Sequence, residues 1–359
     1  GGTIYLINPN GILFGSTAQV NVGNLVASTR AIDKVDQSVF SGGGNPLATA
    51  ATTAAGDIIN LGKLQTTSLV LEGNNITIQN AADITSNGST PLTSAVTAKA
   101  AGIITVGHAV AETTTRSFTI GGTATDKTVH DYKNATVTSS EYTGKKLDGT
   151  NANAIKESML VDNVYDLQNM DAKLAGNYML SGNIDASETN SWNTGAGFSP
   201  VGSWGSKFTG SFDGAGRTIS GLTINRSSTD NVGLFGYVNG SVIQSVGLAG
   251  GSITGAGYVG GVAGYNDSGT ITNVYNTGAV SGNKNYVGGV AGDNNGTITN
   301  VYNTGAVSGS SMPYVGGVVG GNGGTITNAY NTGAVSISND YVGGVVGDNY
   351  GTITNVYNT

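Results

Sequence analysis

The amino-acid sequence predicts an all-β protein of the β-solenoid kind, on three observations. A phrase recurs four times: YVGGVAG at Tyr258–Gly264 and Tyr286–Gly292, then YVGGVVG at Tyr314–Gly320 and Tyr341–Gly347, at spacings of 28, 28 and 27 residues. Each copy is followed by a second phrase, GTITN(V/A)YNT, beginning at Gly269, Gly296, Gly324 and Gly351. The unit is rich in Val, Ile, Thr and Tyr and broken by Gly and Asn, the composition of short strands joined by tight corners. A fixed period of this length marks units that bury their apolar faces only by stacking on their neighbours. The expected architecture is therefore about one coil per 27–28 residues.

Composition narrows the function classes. The 359 residues include 59 Gly, 5 Pro and no Cys, and only 10% are charged, against about 25% in an ordinary globular domain. Val, Ile and Leu recur at strand spacing throughout, which sets the chain apart from charge-driven disorder. The net charge is −7 and no basic cluster occurs, which argues against a nucleic-acid partner, since phosphate binding needs several Lys or Arg on one face. No apolar run approaches the roughly 18 residues of a membrane-spanning helix. The absence of Cys fits a polypeptide that crosses an oxidising compartment unfolded, where a premature disulfide would jam a pore. The chain has no starting Met and no signal peptide; it opens in a strand-like segment and stops within a repeat, as a piece of something longer would.

Along the chain, residues 1–29 place two alternating apolar runs around Asn8-Pro9-Asn10-Gly11. Pro presets φ for a turn and Asn-Gly tolerates positive φ, so a sharp corner is expected there. The run LINPNGILFG followed by AQVNVGNLVAST resembles the secretion domain of two-partner-secreted exoproteins, the filamentous haemagglutinin and high-molecular-weight adhesin family. Its NPNGI hallmark falls on Asn8, Pro9, Asn10, Gly11 and Ile12. The resemblance implies a right-handed parallel β-helix, export through an outer-membrane β-barrel transporter that recognises this corner, and a place at the cell surface of, or secreted from, a Gram-negative-type bacterium. The strands and second motif that precede NPNGI in that family are absent before Gly1. The segment from Ala55 to about Val106 alternates short apolar pairs with Gly, Asn and Asp corners, as successive β-helix coils would.

Residues 113–155 are more polar and read as exposed strands or a hairpin outside the helix. In Val164–Ser187, Asp166 is a candidate cap for a short helix over Leu167–Leu174, with Leu167, Met170 and Leu174 at apolar spacings of three and four. Phe198–Val238 reads strand-turn-strand, and Val232-Gly233-Leu234-Phe235-Gly236 is a divergent first copy of the repeat. From about Ala154 onward the chain resembles GLUG-motif proteins, a family of bacterial surface proteins that includes some large IgA-cleaving metallopeptidases. The expected divisions are 1–112, a secretion-domain-like β-helix; 113–155, irregular; 156–230, a lead-in; and 231–359, the repeat array.

Stacked coils would bring Tyr275, Tyr302, Tyr330 and Tyr357 into one column and Asn273, Asn300, Asn328 and Asn355 into an amide ladder, with Ile271, Ile298, Ile326 and Ile353 pointing inward. The variable NDS, NNG and SGNKN/SSMP segments are assigned to solvent-facing corners. The tyrosine column either contacts a ligand, a sugar ring or a protein receptor, or packs only on itself. Sequons occur at Asn75, Asn134, Asn225, Asn239, Asn266 and Asn295, among others; the resemblance implies that such sites can be glycosylated, and chance accounts for most of them in so Asn-, Ser- and Thr-rich a chain.

For catalysis the signals are few. His108 and His130 lack metal-ligand spacing and are expected as exposed β-helix histidines. Asp267, Asp293 and Asp348 recur near one corner, and turn formation is their expected role. Gly255–Gly260 fits GxGxxG, but no helix is expected after it, so a dinucleotide site is not. Neither cofactor nor metal is expected. The expected function is that of part of a large secreted adhesin, with the repeats as stalk or adhesive surface. The alternatives are a polysaccharide-active β-helix enzyme and the non-catalytic leader of a surface peptidase.

Overall fold

The computed structural model describes residues 3–31, 54–80, 83–86, 90–91, 96–100, 104–135, 155–310, 314–337 and 341–359. The chain divides into two units, Gly1–Ala109 with Thr136–Leu160, and Val110–Ala135 with Val161–Thr359. Most of the described strands pair in parallel with the strand one coil away, so the fold is a parallel β-helix.

In the first unit one sheet runs through Thr3–Ile7, Gln19–Ser28, Lys63–Gly73 and Val96–Ala100, and a second through Ile12–Phe14, Ile58–Asn60, Ile76–Ile78, Ile104–His108 and Ile155–Val161. The second sheet aligns Ile12, Ile58, Ile76, Ile104 and Ile155 in one register column. Ile58, Ile76 and Ile104 are wholly buried, and each such side chain contributes roughly 1.5–3 kcal/mol.

In the second unit, strands Thr114–Ile120 and Thr123–Val129 form an antiparallel hairpin turned by Gly121-Gly122, both at positive φ, as a two-residue hairpin loop requires. The rest of the polar 113–155 segment, residues 136–154, lies outside the described residues. A short helix spans Val164–Asn169 and continues as a 3₁₀ turn over Met170–Lys173. Its cap is Asn163, not Asp166: the Asn163 Oδ1 accepts from the backbone N–H groups of Tyr165 and Asp166. Asp166 stands three residues into the helix, where its carboxylate accepts from Asn163 Nδ2 and so ties the cap side chain to the first turn. The helix therefore starts three residues earlier than the apolar spacing suggested, because the polar Asn163 and Asp166 specify its first turn.

The repeats wind through four faces. The first holds Val259–Gly260, Tyr286–Gly288, Tyr314–Gly316 and Val342–Gly343; the second Phe235–Val238, Ala263–Asn266, Ala291–Asn294, Val319–Asn322 and Val346–Asn349. The third holds Val242–Ala249, Thr270–Thr272 with Tyr275–Asn276, Thr297–Asn303, Thr325–Asn331 and Thr352–Asn358, and the fourth Thr223–Asn225, Ser252–Thr254, Ala279–Gly282, Val307–Gly309 and Val335–Ile337. Equivalent residues pair across coils, as Ile271, Ile298, Ile326 and Ile353 do in succession. The first three are wholly buried and Ile353, in the last coil, is half-buried.

Asparagine holds this stack together three times over. The expected outer ladder is present: Asn300 donates to Asn273 at 3.2 Å, Asn328 to Asn300 at 2.9 Å and Asn355 to Asn328 at 3.2 Å. These four residues have φ between 52° and 55°, the left-handed region that Asn tolerates better than other side-chain-bearing residues. Two further ladders run inside. Asn276 donates to Asn303 and Asn303 to Asn331, each at 2.9 Å; Asn266 donates to Asn294 at 2.6 Å and Asn294 to Asn322 at 2.8 Å. Each inner amide also bonds a backbone carbonyl two or three residues on. The second Gly of each YVGG leaves room for one inner ladder: a Cβ on Gly289 would lie 2.3 Å from the Asn303 amide carbon, and one on Gly317 2.3 Å from that of Asn331. The NDS and NNG corners are thus corrected in part. Asn266 and Asn294 point inward and are fully buried, while Ser268 and Asn295 face solvent, because the corner carbonyls need an internal donor. Lys284 and Asn285 of SGNKN are exposed as expected; residues 311–313 of SSMP lie outside the described residues.

Candidate functional site

The NPNGI corner is a built turn. Gly11 N–H donates to the Asn8 carbonyl at 3.1 Å, and the Asn8 side chain accepts from the Asn10 N–H at 3.1 Å. Gly11 has φ +121°, and the next coil packs directly on the turn, so that a Cβ on Gly56 would lie 2.4 Å from the Gly11 nitrogen. Ile12 opens the isoleucine column. Asn8, Pro9 and Asn10 are exposed, and the Asn10 side-chain amide makes no hydrogen bond among the described residues.

The tyrosine column stands as the repeat spacing implies. Tyr275 and Tyr302, then Tyr302 and Tyr330, stack with ring centroids 4.9 Å apart and planes within 6°; Tyr330 and Tyr357 follow at 5.1 Å and 8°. The first three rings are half-buried and Tyr357 is exposed. The parallel register fixes this spacing, and offset stacking adds about 0.5–1.5 kcal/mol per pair. A second column, Tyr258, Tyr286, Tyr314 and Tyr341, follows the first Tyr of each YVGG with centroids 4.7–5.8 Å apart.

A more varied surface lies beside the second face, and the repeat pattern did not reveal it. Trp204 is 67% exposed and stands edge-on to Tyr237 with centroids 5.3 Å apart, while Tyr237 stacks flat on Tyr265 at 4.8 Å. Lys207 Nζ lies 4.7 Å from the Tyr237 ring centre and 3.5 Å from Asp267. Asn239 donates to Asp267 at 2.7 Å, and Asn295 to the Tyr265 hydroxyl at 2.7 Å. Burial works to raise the Asp267 pKa, but the bonds from Asn239, Tyr237 and Lys207 outweigh it and hold it below the ordinary carboxylate range. Burial and the Asp267 hydrogen bond push the Tyr237 phenol up. An exposed indole bordered by fixed amide, ammonium and carboxylate groups is suited to a sugar ring, whose apolar face stacks while its hydroxyls bond at the rim. Trp204 lies in the lead-in, 204 being outside any repeat, so periodicity carried no signal for it.

Two of the three aspartates are corrected, while Asp267 lies at the bend that follows strand Ala263–Asn266, as expected. Asp293 and Asp348 belong to strands Ala291–Asn294 and Val346–Asn349, not turns, and align through Gly321. Asp267 is out of this register, because Tyr265 is the partner of Asp293. Asp293 is pushed up to about 6, chiefly by burial with Asp348 adding repulsion. Tyr286, whose hydroxyl lies 3.5 Å from Asp348, is pushed up to about 12 by burial and then by Asp348.

The histidines are corrected as well. His108 sits in a strand paired to Ile155–Val161 and its Nε2 meets the Glu157 carboxylate, both half-buried. His130 is 2% exposed and faces Glu112, Asp162 and Asp166. Both leave the exposed class because carboxylates distant in sequence meet them in the fold. Gly255–Gly260 leads into strand Val259–Gly260, with no helix behind it. The sequon residue Asn266 is wholly buried and bonded, which leaves no room for a glycan there.

Residues 255–281 and 313–336 match the GLUG motif. These repeats carry the GLUG signature. Over 221 residues the chain is 36% identical to halomucin of Haloquadratum walsbyi, covering 56% of this chain and 2% of that protein. Over 92 residues it is 32% identical to the heme/hemopexin-binding protein of Haemophilus influenzae, covering 24% of this chain and 10% of that protein. The chain thus spans a small part of the length of these relatives. Among solved structures, a candidate immunoglobulin A1 protease from Bacteroides ovatus is similar at 22% identity and a TM-score of 0.44, over 56% of this chain and 67% of that one. No described helix is long and apolar enough to cross a membrane.

Proposed function

We propose that this chain is part of a large, surface-exposed bacterial protein of the adhesin kind, secreted by a two-partner system, and that its role is display and contact, not catalysis. The observation that carries the proposal is the outer surface of the repeat unit: tyrosine columns and an outer amide ladder recur coil after coil, with the Trp204 cluster beside them. A surface built this way offers many weak, equivalent contacts, whose avidity rises with coil number. The partner is a host-cell glycan or protein receptor; the net charge of −7 disfavours nucleic acid. Likeness to halomucin and to the heme/hemopexin-binding protein supports a setting outside the cell. The test is a glycan array: binding that Trp204→Ala or Tyr302→Ala weakens supports the proposal, and a blank array together with no binding to host cells refutes it.

The transporter partner rests on the exposed NPNGI corner. Asn8 holds the turn, whereas the Asn10 amide makes no hydrogen bond among the described residues, so Asn10→Ala separates recognition from folding. Export of the parent polypeptide should fall in Asn10→Ala while the turn and fold persist; unchanged export would remove the recognition role. A polysaccharide-cleaving role has one observation in its favour, the raised Asp293 beside Tyr286 and Asp348. Unsaturated products released from uronate polysaccharides, and lost in Asp293→Asn, would replace the adhesin proposal.

A further inference from the structure

Four ligand-bearing side chains converge between the hairpin ends and the helix in the second unit. Glu112 precedes the Thr114–Ile120 strand and His130 follows the Thr123–Val129 strand; Asp162 precedes the helix and Asp166 lies in its first turn. One ligand atom from each lies within 4.8 Å of all the others. His130 Nε2 is 3.6 Å from Glu112 Oε1, 3.2 Å from Asp162 Oδ2 and 3.4 Å from Asp166 Oδ2. Atoms held about 2.0–2.2 Å from one tetrahedral centre are roughly 3.3–3.6 Å apart, so these separations match the edges of a coordination shell.

A second observation points to a ligand independently of the acids. His130 is 2% exposed, yet among the described residues neither ring nitrogen has a hydrogen-bond partner, and buried polar atoms in that condition call for a specific explanation. The imidazole is held in place by other means. Its backbone N–H donates to Asp166 Oδ1 at 3.0 Å, its carbonyl accepts from Asn169 at 2.8 Å, and its ring stacks on Tyr132 at 5.6 Å. Asn163 Nδ2, at 2.6 Å from Asp166 Oδ2, fixes the innermost carboxylate. Nε2 is thus aimed into the three carboxylates.

The charge argues the same way. Among the described residues, the only ion pairs of these carboxylates are with His130. A divalent cation at their centre would take the Nε2 lone pair together with one oxygen from each carboxylate. We propose that Glu112, His130, Asp162 and Asp166 bind a divalent first-row ion of the Zn²⁺ or Mn²⁺ class, which fastens both ends of the hairpin to the start of the helix. An imidazole nitrogen among the ligands selects this class over Ca²⁺ and Mg²⁺, which take oxygen. The half-open carboxylates of Glu112 and Asp162, with side chains 53% and 42% exposed, give the ion its way in.

The test uses the full chain, stripped with EDTA and titrated separately with ZnCl₂, MnCl₂ and CaCl₂ by calorimetry, with Co²⁺ absorption as a spectroscopic probe. Expected are saturable binding of one Zn²⁺ or Mn²⁺ per chain, visible Co²⁺ bands of a low-coordinate site, and a raised unfolding temperature with metal. Asp162→Asn and Glu112→Gln should each weaken Zn²⁺ at least ~10-fold, and His130→Gln should abolish the Co²⁺ bands. The two exposed-carboxylate variants decide the matter if His130→Gln does not fold, and their unfolding temperature in EDTA should equal that of the parent chain in EDTA. Absence of saturable Zn²⁺ or Mn²⁺ binding, a preference for Ca²⁺, or Zn²⁺ affinity unchanged in both carboxylate variants would overturn the proposal.

Discussion

Two asparagines in one strand, Asn300 and Asn303, make ladder bonds of similar length yet differ in environment, and that contrast yields a sharp prediction. Asn303 is 0% exposed. Its Nδ2 donates to Asn331 at 2.9 Å and to the Gly305 carbonyl at 2.7 Å, and its Oδ1 accepts from Asn276 at 2.9 Å. Asn303→Ala removes three buried hydrogen bonds at about 1 kcal/mol each and leaves a small void that costs more, so a loss of roughly 3–4 kcal/mol is expected. Asn300 makes two ladder bonds, at 3.2 and 2.9 Å, but on the solvent side. Water replaces those partners, and Asn300→Gly keeps the left-handed φ of 55°, so its cost should stay below about 1 kcal/mol. The assay is equilibrium denaturation of both variants followed by far-UV circular dichroism, with hydrogen exchange to place the loss at the affected coils, since repeat arrays need not unfold in one step. Equal losses in the two variants, or a cost under about 1 kcal/mol for Asn303→Ala, would refute the claim that burial gives the inner ladder its value.

Two other outcomes follow from the same structure. Asp293 has a folded pKa raised from 3.8 to about 6, so between those values the folded chain holds a proton that the unfolded chain has released, and stability must fall as pH rises through that window. Asp293→Asn should therefore stabilise the protein at pH 7, by about 1–2 kcal/mol after allowing for solvent screening of a partly exposed group, and have no such effect near pH 4; a pH-independent effect in parallel denaturation curves would contradict this. Gly247 lies in register with Tyr275, and a Cβ there would come within 2.1 Å of the Tyr275 ring. Gly247→Ala should push that ring out of its column at a cost of about 0.5–1.5 kcal/mol, visible as lost tyrosine near-UV dichroism, and an unchanged spectrum would show that the ring is not held there.

Much of the repeat unit was legible in the residues themselves. The spacing of 27–28 implied one coil per repeat, and from that the tyrosine column, the outer asparagine ladder and the inward isoleucines follow, because parallel pairing puts identical residues about 4.8 Å apart. The corner at Asn8–Gly11 was legible because turn chemistry is local. The inner asparagines were not: Asn266 and Asn294 look like corner residues, and only the fold shows that each corner carbonyl needs a buried donor. The helix cap was misplaced for a similar reason, the apolar spacing starting at Leu167 while the polar pair that begins the helix lies at Asn163 and Asp166.

What the sequence by itself determined is therefore the coil, its period and the columns that repetition imposes, all consequences of short-range pattern multiplied by stacking. What only the tertiary structure decided are the groupings of residues that do not repeat: Trp204 over Tyr237 with Lys207 and Asp267, and His130 among Glu112, Asp162 and Asp166. Members of those groups come from segments up to about sixty positions apart, Lys207 and Asp267 among them. Their meeting depends on where each loop leaves and rejoins the coil, which no local propensity encodes.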